Sequence, residues 1–389
     1  MLSFQGFSLY IHAAFWPLEN AFCAAVSGSA ILPPDISPRT NAMRRPLSIL
    51  CGLASFLTFI ILVVGVPSTD LRGDGMSDPF ASTFSIVGID LSNGDVGVAV
   101  QSKFPNLRPI VPWAEANVGA IATQSFINVA YGPKGLALLR NGATAEEALK
   151  ILIANDSGRE VRQVGLIDAN GNAASWTGKE CFDWAGGNAG GNVGGKGVMV
   201  TGKGFAAQGN TLVGKETVEA LARTFQETKG SLSDKLVAAL VAGGKAGGDR
   251  RGEQSAALLV KRKGAGYDGT TDDLIDISIY DHARPLQELE RLYKLHKLFY
   301  FRTDPKNLVA IDPTICRELQ GILKNKEYKG FVFYDGPVNG MFEAKTKKAL
   351  QDFMGWENYD IRIRDDGQID REVLDDIRKN HADWRRAHQ

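Results

Sequence analysis

Thr83 is the residue whose position suggests chemistry. It opens the run Ser82-Thr83-Phe84-Ser85-Ile86-Val87-Gly88-Ile89-Asp90, where an apolar leader gives way to the pattern of a globular domain. A cut before Thr83 would set a new α-amine beside the Thr83 hydroxyl. With an ordinary pKa of about 7.7–8.0, that amine holds enough free base near neutrality to take the hydroxyl proton directly or through water. An ordinary β-branched strand residue is the competing reading of the same Thr.

Other routes to a nucleophile are poorly supplied. The five histidines, His12, His282, His296, His381 and His388, contain no HExxH-type pair, so no metal site is expected. A Ser-His-Asp relay would have to use His282 or His296, and His296 lies on an amphipathic helix where a half-buried structural role competes. The cysteines Cys23, Cys51, Cys181 and Cys316 are far apart and form no CxxC pair, which argues against zinc and against a disulfide framework. The glycine-rich Gly190-Gly191-Asn192-Val193-Gly194-Gly195-Lys196-Gly197 has the spacing of a phosphate loop. Gly197 stands where Ser or Thr is required and no helix follows, so a flexible insertion is read there and no cofactor is expected.

Composition sets the outer limits. The 389 residues are 44% hydrophobic and 23% charged, enough for one large core or two smaller ones after a leader is set aside. Lys plus Arg and Asp plus Glu each total 44, so no net field favours nucleic acid or anionic lipid. Residues 1–42 read as an upstream extension, because Met43 stands directly before Arg44-Arg45 and Pro33-Pro34-Asp35-Ile36-Ser37-Pro38 reads as loop. Leu47–Val66 carries no charge and reaches the ~20 residues a membrane-spanning helix needs, with Arg39, Arg44 and Arg45 on its cytoplasmic side. A cleaved signal at 43–68 and an inner-membrane anchor both stay open, and either sends the rest of the chain to the periplasm or cell envelope. Residues 69–82 read as a spacer.

From Thr83 onward the pattern is α+β. Phe84–Val87 and Val96–Val100 flank Asn93-Gly94 and read as a hairpin; Gly119–Gln124 gives a third strand, and Gly135–Arg140 and Ala145–Ile153 have helical spacing. Val161–Asp168 and Ala173–Thr177 form a second hairpin around Asn170-Gly171. A short strand before Gln208, helices at Thr217–Phe225 and Leu232–Ala242, strands at Ser255–Val260 and Leu274–Ile279, and helical Arg284–Tyr300 complete a domain over 83–302. Hairpins separated by helix pairs imply two stacked sheets flanked by helices. Residues 303–389 read as a second domain, built on a compact helical module of about 75 residues from near Asp304 to Ile377, with Asp312 as N-cap, Pro313 at the first helical position, and Ile315, Leu319, Ile322 and Leu323 on one face.

Thr83-Phe84-Ser85-Ile86-Val87, Gly97–Phe104, Ala122-Thr123-Gln124, Tyr131-Gly132-Pro133, Gln208-Gly209-Asn210 and Gly248–Ala257 together resemble the bacterial family of unknown function 1028, in order, over 83 to about 282. That family is assigned to the N-terminal-nucleophile (Ntn) hydrolases, so the resemblance implies an αββα four-layer sandwich and hydrolysis of a small amide or peptide, with Thr83 as nucleophile and its freed amine as base. It also implies that Lys103 lowers the amine pKa or orients the hydroxyl, that Gln124 and Asn210 donate to a developing oxyanion, and that an Asp249–Arg251 ion pair supports Gln254 and Ser255. A solvated Lys103, and turn or capping roles for Asn210 and Asp249, compete with these roles. Phe80-Ala81-Ser82 is a poor signal-peptidase site, so self-cleavage or another protease must expose Thr83; otherwise the domain is a binding module that kept the fold.

Leu319-Gln320, Tyr328-Lys329-Gly330, Asp335-Gly336, Asn339–Phe342, Thr346, Ala349-Leu350 and Phe353 resemble a peptidoglycan-binding domain over about 308–380. This implies peptidoglycan as a partner and fits export. Association into a homo-oligomer is left open.

Overall fold

The structure is a computed structural model and describes residues 83–389. The apolar run Leu47–Val66 and the spacer lie outside the described residues; within these, no helix is long and apolar enough to cross a membrane. The fold is mixed α/β, with antiparallel sheets.

The first sheet contains β1 (Thr83–Asp90), β2 (Asp95–Ser102), β7 (Gly186–Ala189), β8 (Asn192–Gly194), β10 (Phe205–Asn210), β11 (Ser255–Lys261) and β12 (Asp273–Ile279), in the order β12-β11-β2-β1-β10-β7-β8. The second contains β3 (Pro112–Glu115), β4 (Gly119–Ser125), β5 (Arg162–Asp168), β6 (Asn172–Thr177) and β9 (Val198–Lys203), in the order β3-β4-β5-β6-β9. The expected hairpins form, and Gly94 at φ +78° and Gly171 at φ +77° take the left-handed conformations that their Asn-Gly turns demand.

Side chains alternate across each strand, so every strand sorts its residues into two cores. On β1, Phe84 and Ile86 meet α3 (Glu216–Glu227) and α4 (Leu232–Lys245) in a cluster with Ala99, Ala207, Leu221, Leu236, Leu240 and Leu258. Val87 points the other way, into a cluster with Val98, Val100, Ala120, Ala122, Ile167, Ala173 and Ala206 from both sheets. Outward-facing Ile121, Val164, Leu166, Ala174 and Trp176 of the second sheet pack with α1 (Tyr131–Arg140) and α2 (Ala145–Ala154). Capping boxes start α2 and α4, Thr144 with Glu147 and Ser231 with Asp234.

Helix α5 (Pro285–Tyr300) joins the two regions of the chain. Leu286, Leu289 and Tyr293 belong to the core beside the first sheet, whereas Leu298 and Phe299 in its last turn pack into the C-terminal core. That second core uses α6 (Pro313–Lys324), the short α7 (Lys326–Lys329), α8 (Ala344–Trp356) and α9 (Arg371–Ala387). Asp312 caps α6 as expected, its carboxylate accepting the Thr314 and Ile315 N–H groups at 2.8 Å.

Three features depart from the sequence reading. The glycine-rich segment is a β7–β8 hairpin at one sheet edge, turned by Gly190 and Gly191 at positive φ, so pairing rather than flexibility uses those glycines. Strand β3 lacks the length to show period-2 alternation. The C-terminal module is not wholly helical, because Leu308–Ala310 (β13) pairs with Gln368–Asp370 (β14).

Candidate functional site

Thr83 begins β1 and is fully buried, on the face turned toward the second sheet. Register places it between Ser102 of β2 and Asn210 of β10, with Ser255 of β11 beyond Ser102. The Thr83 hydroxyl donates to Ser102 Oγ at 3.1 Å. Two amides converge on the Thr83 carbonyl: Gln124 Nε2 donates to it at 3.1 Å and Asn210 Nδ2 at 3.5 Å.

Behind these groups the inter-sheet core turns from apolar to polar. Ser175 donates to Gln208 Oε1, Gln208 Nε2 to Ser85 Oγ at 2.7 Å, and Ser85 to Gln124 Oε1 at 2.7 Å. Gln163 receives both site amides on its Oε1, from Gln124 at 2.8 Å and Asn210 at 3.0 Å. Its own Nε2 donates to Thr177 Oγ1, the Gly186 carbonyl and the Gly209 carbonyl. Because each donor runs in one sense, every carboxamide orientation is fixed, and the chain of bonds delivers N–H groups toward Thr83. All of these side chains are buried. The arrangement needs Gly165, since a Cβ there would sit 2.1 Å from Gln208 Oε1.

Two non-glycine residues at the rims of these strands hold left-handed backbone. Ser125, directly after Gln124, has φ +68°, and β-branched Thr211, directly after Asn210, has φ +53°. Strain of this kind costs of order 1–3 kcal/mol per residue and persists where the surrounding structure over-determines it, commonly at functional sites.

The remaining residues singled out from the sequence divide. Asp249 and Arg251 do form an ion pair, at 3.1 Å, and Asp249 Oδ2 also accepts the Lys103 backbone N–H at 2.8 Å. Asp249 Oδ1 accepts the Arg251 N–H at 2.9 Å, so the turn-forming role coexists with the ionic one. Lys103 itself is exposed, and its ammonium donates to the Glu253 carbonyl at 3.1 Å. Gln254 donates its N–H to the Ser102 carbonyl at 3.1 Å, and Ser255 donates its hydroxyl to the Phe104 carbonyl, so both brace the β2 end. Ser85, Ser102, Gln163 and Gln208 complete the site and were not singled out. Their signal is polar residues at alternate positions in strands whose same-face neighbours are apolar, as in Thr83-x-Ser85-x-Val87 and Ala206-x-Gln208-x-Asn210.

Cys181 and Cys316 are buried free thiols, each pushed up in pKa by burial. Among the described residues no group of His, Cys, Asp or Glu is arranged to hold a metal ion.

The profile of a family of unknown function, DUF1028, matches residues 83–289. The chain belongs to that family. The DUF1028 region thus begins at Thr83 and takes in the whole amide cluster. A second profile, for a domain proposed to bind peptidoglycan, matches residues 299–375. A crystal structure of a DUF1028 protein from Silicibacter pomeroyi is similar at 29% identity, with a TM-score of 0.48, over 56% of this chain and 86% of that one. No curated protein matches the chain.

Proposed function

We propose that the DUF1028 region is an Ntn-type amidohydrolase, built as an αββα sandwich, whose nucleophile Thr83 is exposed by proteolysis of the Ser82–Thr83 bond. Thr83 Oγ1 would attack the carbonyl carbon of an amide while its proton passes to the Thr83 α-amine. The collapsing adduct expels the substrate amine, which takes up a proton, and water then hydrolyses the acyl ester to a carboxylic acid and regenerates the threonine. The three observed cores, with helices outside each sheet, support the layer order. The observation that carries the chemistry is the hydroxyl of Thr83 on Ser102 at 3.1 Å with two oriented amides beside it. In this reading Gln124 and Asn210 supply oxyanion stabilisation, and Ser102 orients the nucleophile. The C-terminal region binds peptidoglycan, which puts the protein at the cell wall after export.

The alternative, a noncatalytic wall-binding protein, is favoured by one specific feature: the Lys103 ammonium is engaged with the Glu253 carbonyl. Intact-mass measurement on protein from its native host separates the two. A mature chain that starts at Thr83, together with loss of amide hydrolysis by about 100-fold or more in Thr83→Ala, is the result expected. An uncut Ser82–Thr83 bond in active protein, or full activity in Thr83→Ala, removes the catalytic reading.

A further inference from the structure

A cavity of about 820 Å³ lies between the DUF1028 region and the C-terminal region, against α5, β12 and the turn at 358–361. Its size falls within the ~300–1,000 Å³ of ligand pockets, which favour domain interfaces. The boundary is a firm one. Phe299 at the end of α5 stacks on Tyr359 with ring centroids 5.4 Å apart, and the Arg362 guanidinium donates to the Lys297 carbonyl at 2.7 Å.

Aromatic rings stand in this cavity with faces to spare. Tyr300 is 54% exposed and lies parallel to His296 at 4.6 Å, while Tyr267 is 88% exposed and meets Tyr300 edge-on at 6.0 Å. Exposed tyrosines scattered singly need no explanation, but two of them gathered on one concave surface do. Polar groups surround the rings: Asp276, Ser278, Asn358 and Asp360. Arg108 holds the Asp276 carboxylate through two bonds, at 2.6 and 2.7 Å, and so fixes its direction. Among the described residues, the lining includes neither lysine nor arginine. Burial pushes the His296 pKa down, against the smaller opposing pull of its Nε2 contact with the Leu274 carbonyl at 2.9 Å.

This lining suits a pyranose better than a peptide. A sugar ring has a C–H face that packs on an aromatic ring and a rim of hydroxyls that carboxylates and amides can bond. A peptide stem rich in carboxylates would meet Asp360 and an Arg108 guanidinium already committed to Asp276. We propose that this interdomain cavity binds the glycan strand of peptidoglycan, with Tyr267 and Tyr300 as stacking platforms and Asp360 and Asn358 as hydroxyl partners. The inference rests on the wall-binding reading of the C-terminal region and adds to it the place and the part of the polymer that is recognised.

The test uses the full chain with two probes: insoluble sacculi, scored by co-sedimentation, and a tetrasaccharide of alternating N-acetylglucosamine and N-acetylmuramic acid freed of stem peptides, scored by calorimetry. Wild type should bind both. Tyr300→Ala and Tyr267→Ala should each weaken tetrasaccharide binding by about tenfold or more without shifting the melting temperature. Tyr267 is exposed enough that its removal leaves the fold intact. Unchanged affinity in both variants, or a wild type that sediments with sacculi but ignores the tetrasaccharide, overturns the cavity assignment and leaves wall binding standing. A wild type that binds neither probe removes the wall-binding reading itself.

Discussion

Gln163 in the DUF1028 region and Gln320 in the C-terminal region are both fully buried; both have partners within 26 positions, and Gln163 alone adds partners much farther along the chain. Gln320 Nε2 donates to Asn339, Met341 and Thr346, and its Oε1 accepts the Gly340 N–H at 2.9 Å; no more than 26 positions separate it from any of these partners. It clamps one loop between α6 and α8. Gln163 accepts from Gln124 and Asn210 and donates to the Gly209 carbonyl, at separations of 39, 47 and 46 positions. It ties strands of both sheets together, and the amides it orients go on to Thr83. The contrast teaches that buried polarity with only local partners secures one part of a fold, whereas buried polarity gathered from several strands ties two sheets together around one chain position.

The largest effect expected on the structural side of this contrast is at Arg362. Its guanidinium and the Asp370 carboxylate form an ion pair at 2% and 0% exposure. Removing one partner of such a pair leaves an uncompensated buried charge, so Arg362→Ala should cost about 3–5 kcal/mol in urea unfolding. It should do so while leaving the amide cluster intact, as read by hydrogen exchange of the β1, β4 and β5 amides.

The next pair sharpens the comparison directly. Gln163→Leu and Gln320→Leu each strip several buried groups of a partner, at about 1–3 kcal/mol for each group left unmet. Both should therefore destabilise. Only Gln163→Leu should also abolish amide hydrolysis, because Gln124 and Asn210 lose the acceptor that aims them. A Gln320→Leu variant that loses hydrolysis at unchanged stability would break the distinction.

Gln101 supplies a third case. It is fully buried on the helix-facing side of β2, and among the described residues neither its amide nitrogen nor its amide oxygen has a hydrogen-bond partner. Gln101→Leu removes an unmet polar group at little change in volume and should raise stability, by about 1 kcal/mol, in thermal or urea unfolding. A loss of 1 kcal/mol or more would show instead that this glutamine has a partner at work.

The smallest effect is a pH dependence at His296. Burial lowers its pKa from the ordinary 6.5, so the unfolded chain binds the proton more readily than the folded one. Stability therefore falls as pH drops through 6.5 toward the lowered value, and the loss is complete below it. Melting curves between about pH 7.5 and 5 should show this component in wild type and lack it in His296→Gln.

Much of the framework was legible. Asn-Gly turns between short β-branched runs marked both hairpins, and Asp312-Pro313 marked a helix start, because those local choices depend on φ/ψ preferences and capping that operate within a few residues. The glycine-rich β7–β8 hairpin was not legible, since glycine carries no side-chain pattern by which pairing could be recognised. At the site, Thr83 and the two amides nearest it were identified. Ser102, Gln163 and Gln208 were not, because each looks like an ordinary polar residue until its strand is placed in a sheet. Lys103 shows the opposite limit: its sequence neighbourhood put it at the end of β2, but the direction of its side chain followed from where the Glu253 carbonyl lies.

The sequence by itself determined the strands and helices that carry an apolar alternation or helical spacing, because those patterns are properties of the local chain. It also determined that Thr83 heads the first strand of the DUF1028 region. Only the tertiary structure decided that β10 pairs with β1 and that the second sheet lies across from both, and so brought Asn210 and Gln124 to the Thr83 carbonyl. Pairing and stacking are set by the total apolar area that many distant strands bury together, a quantity no local window of sequence contains.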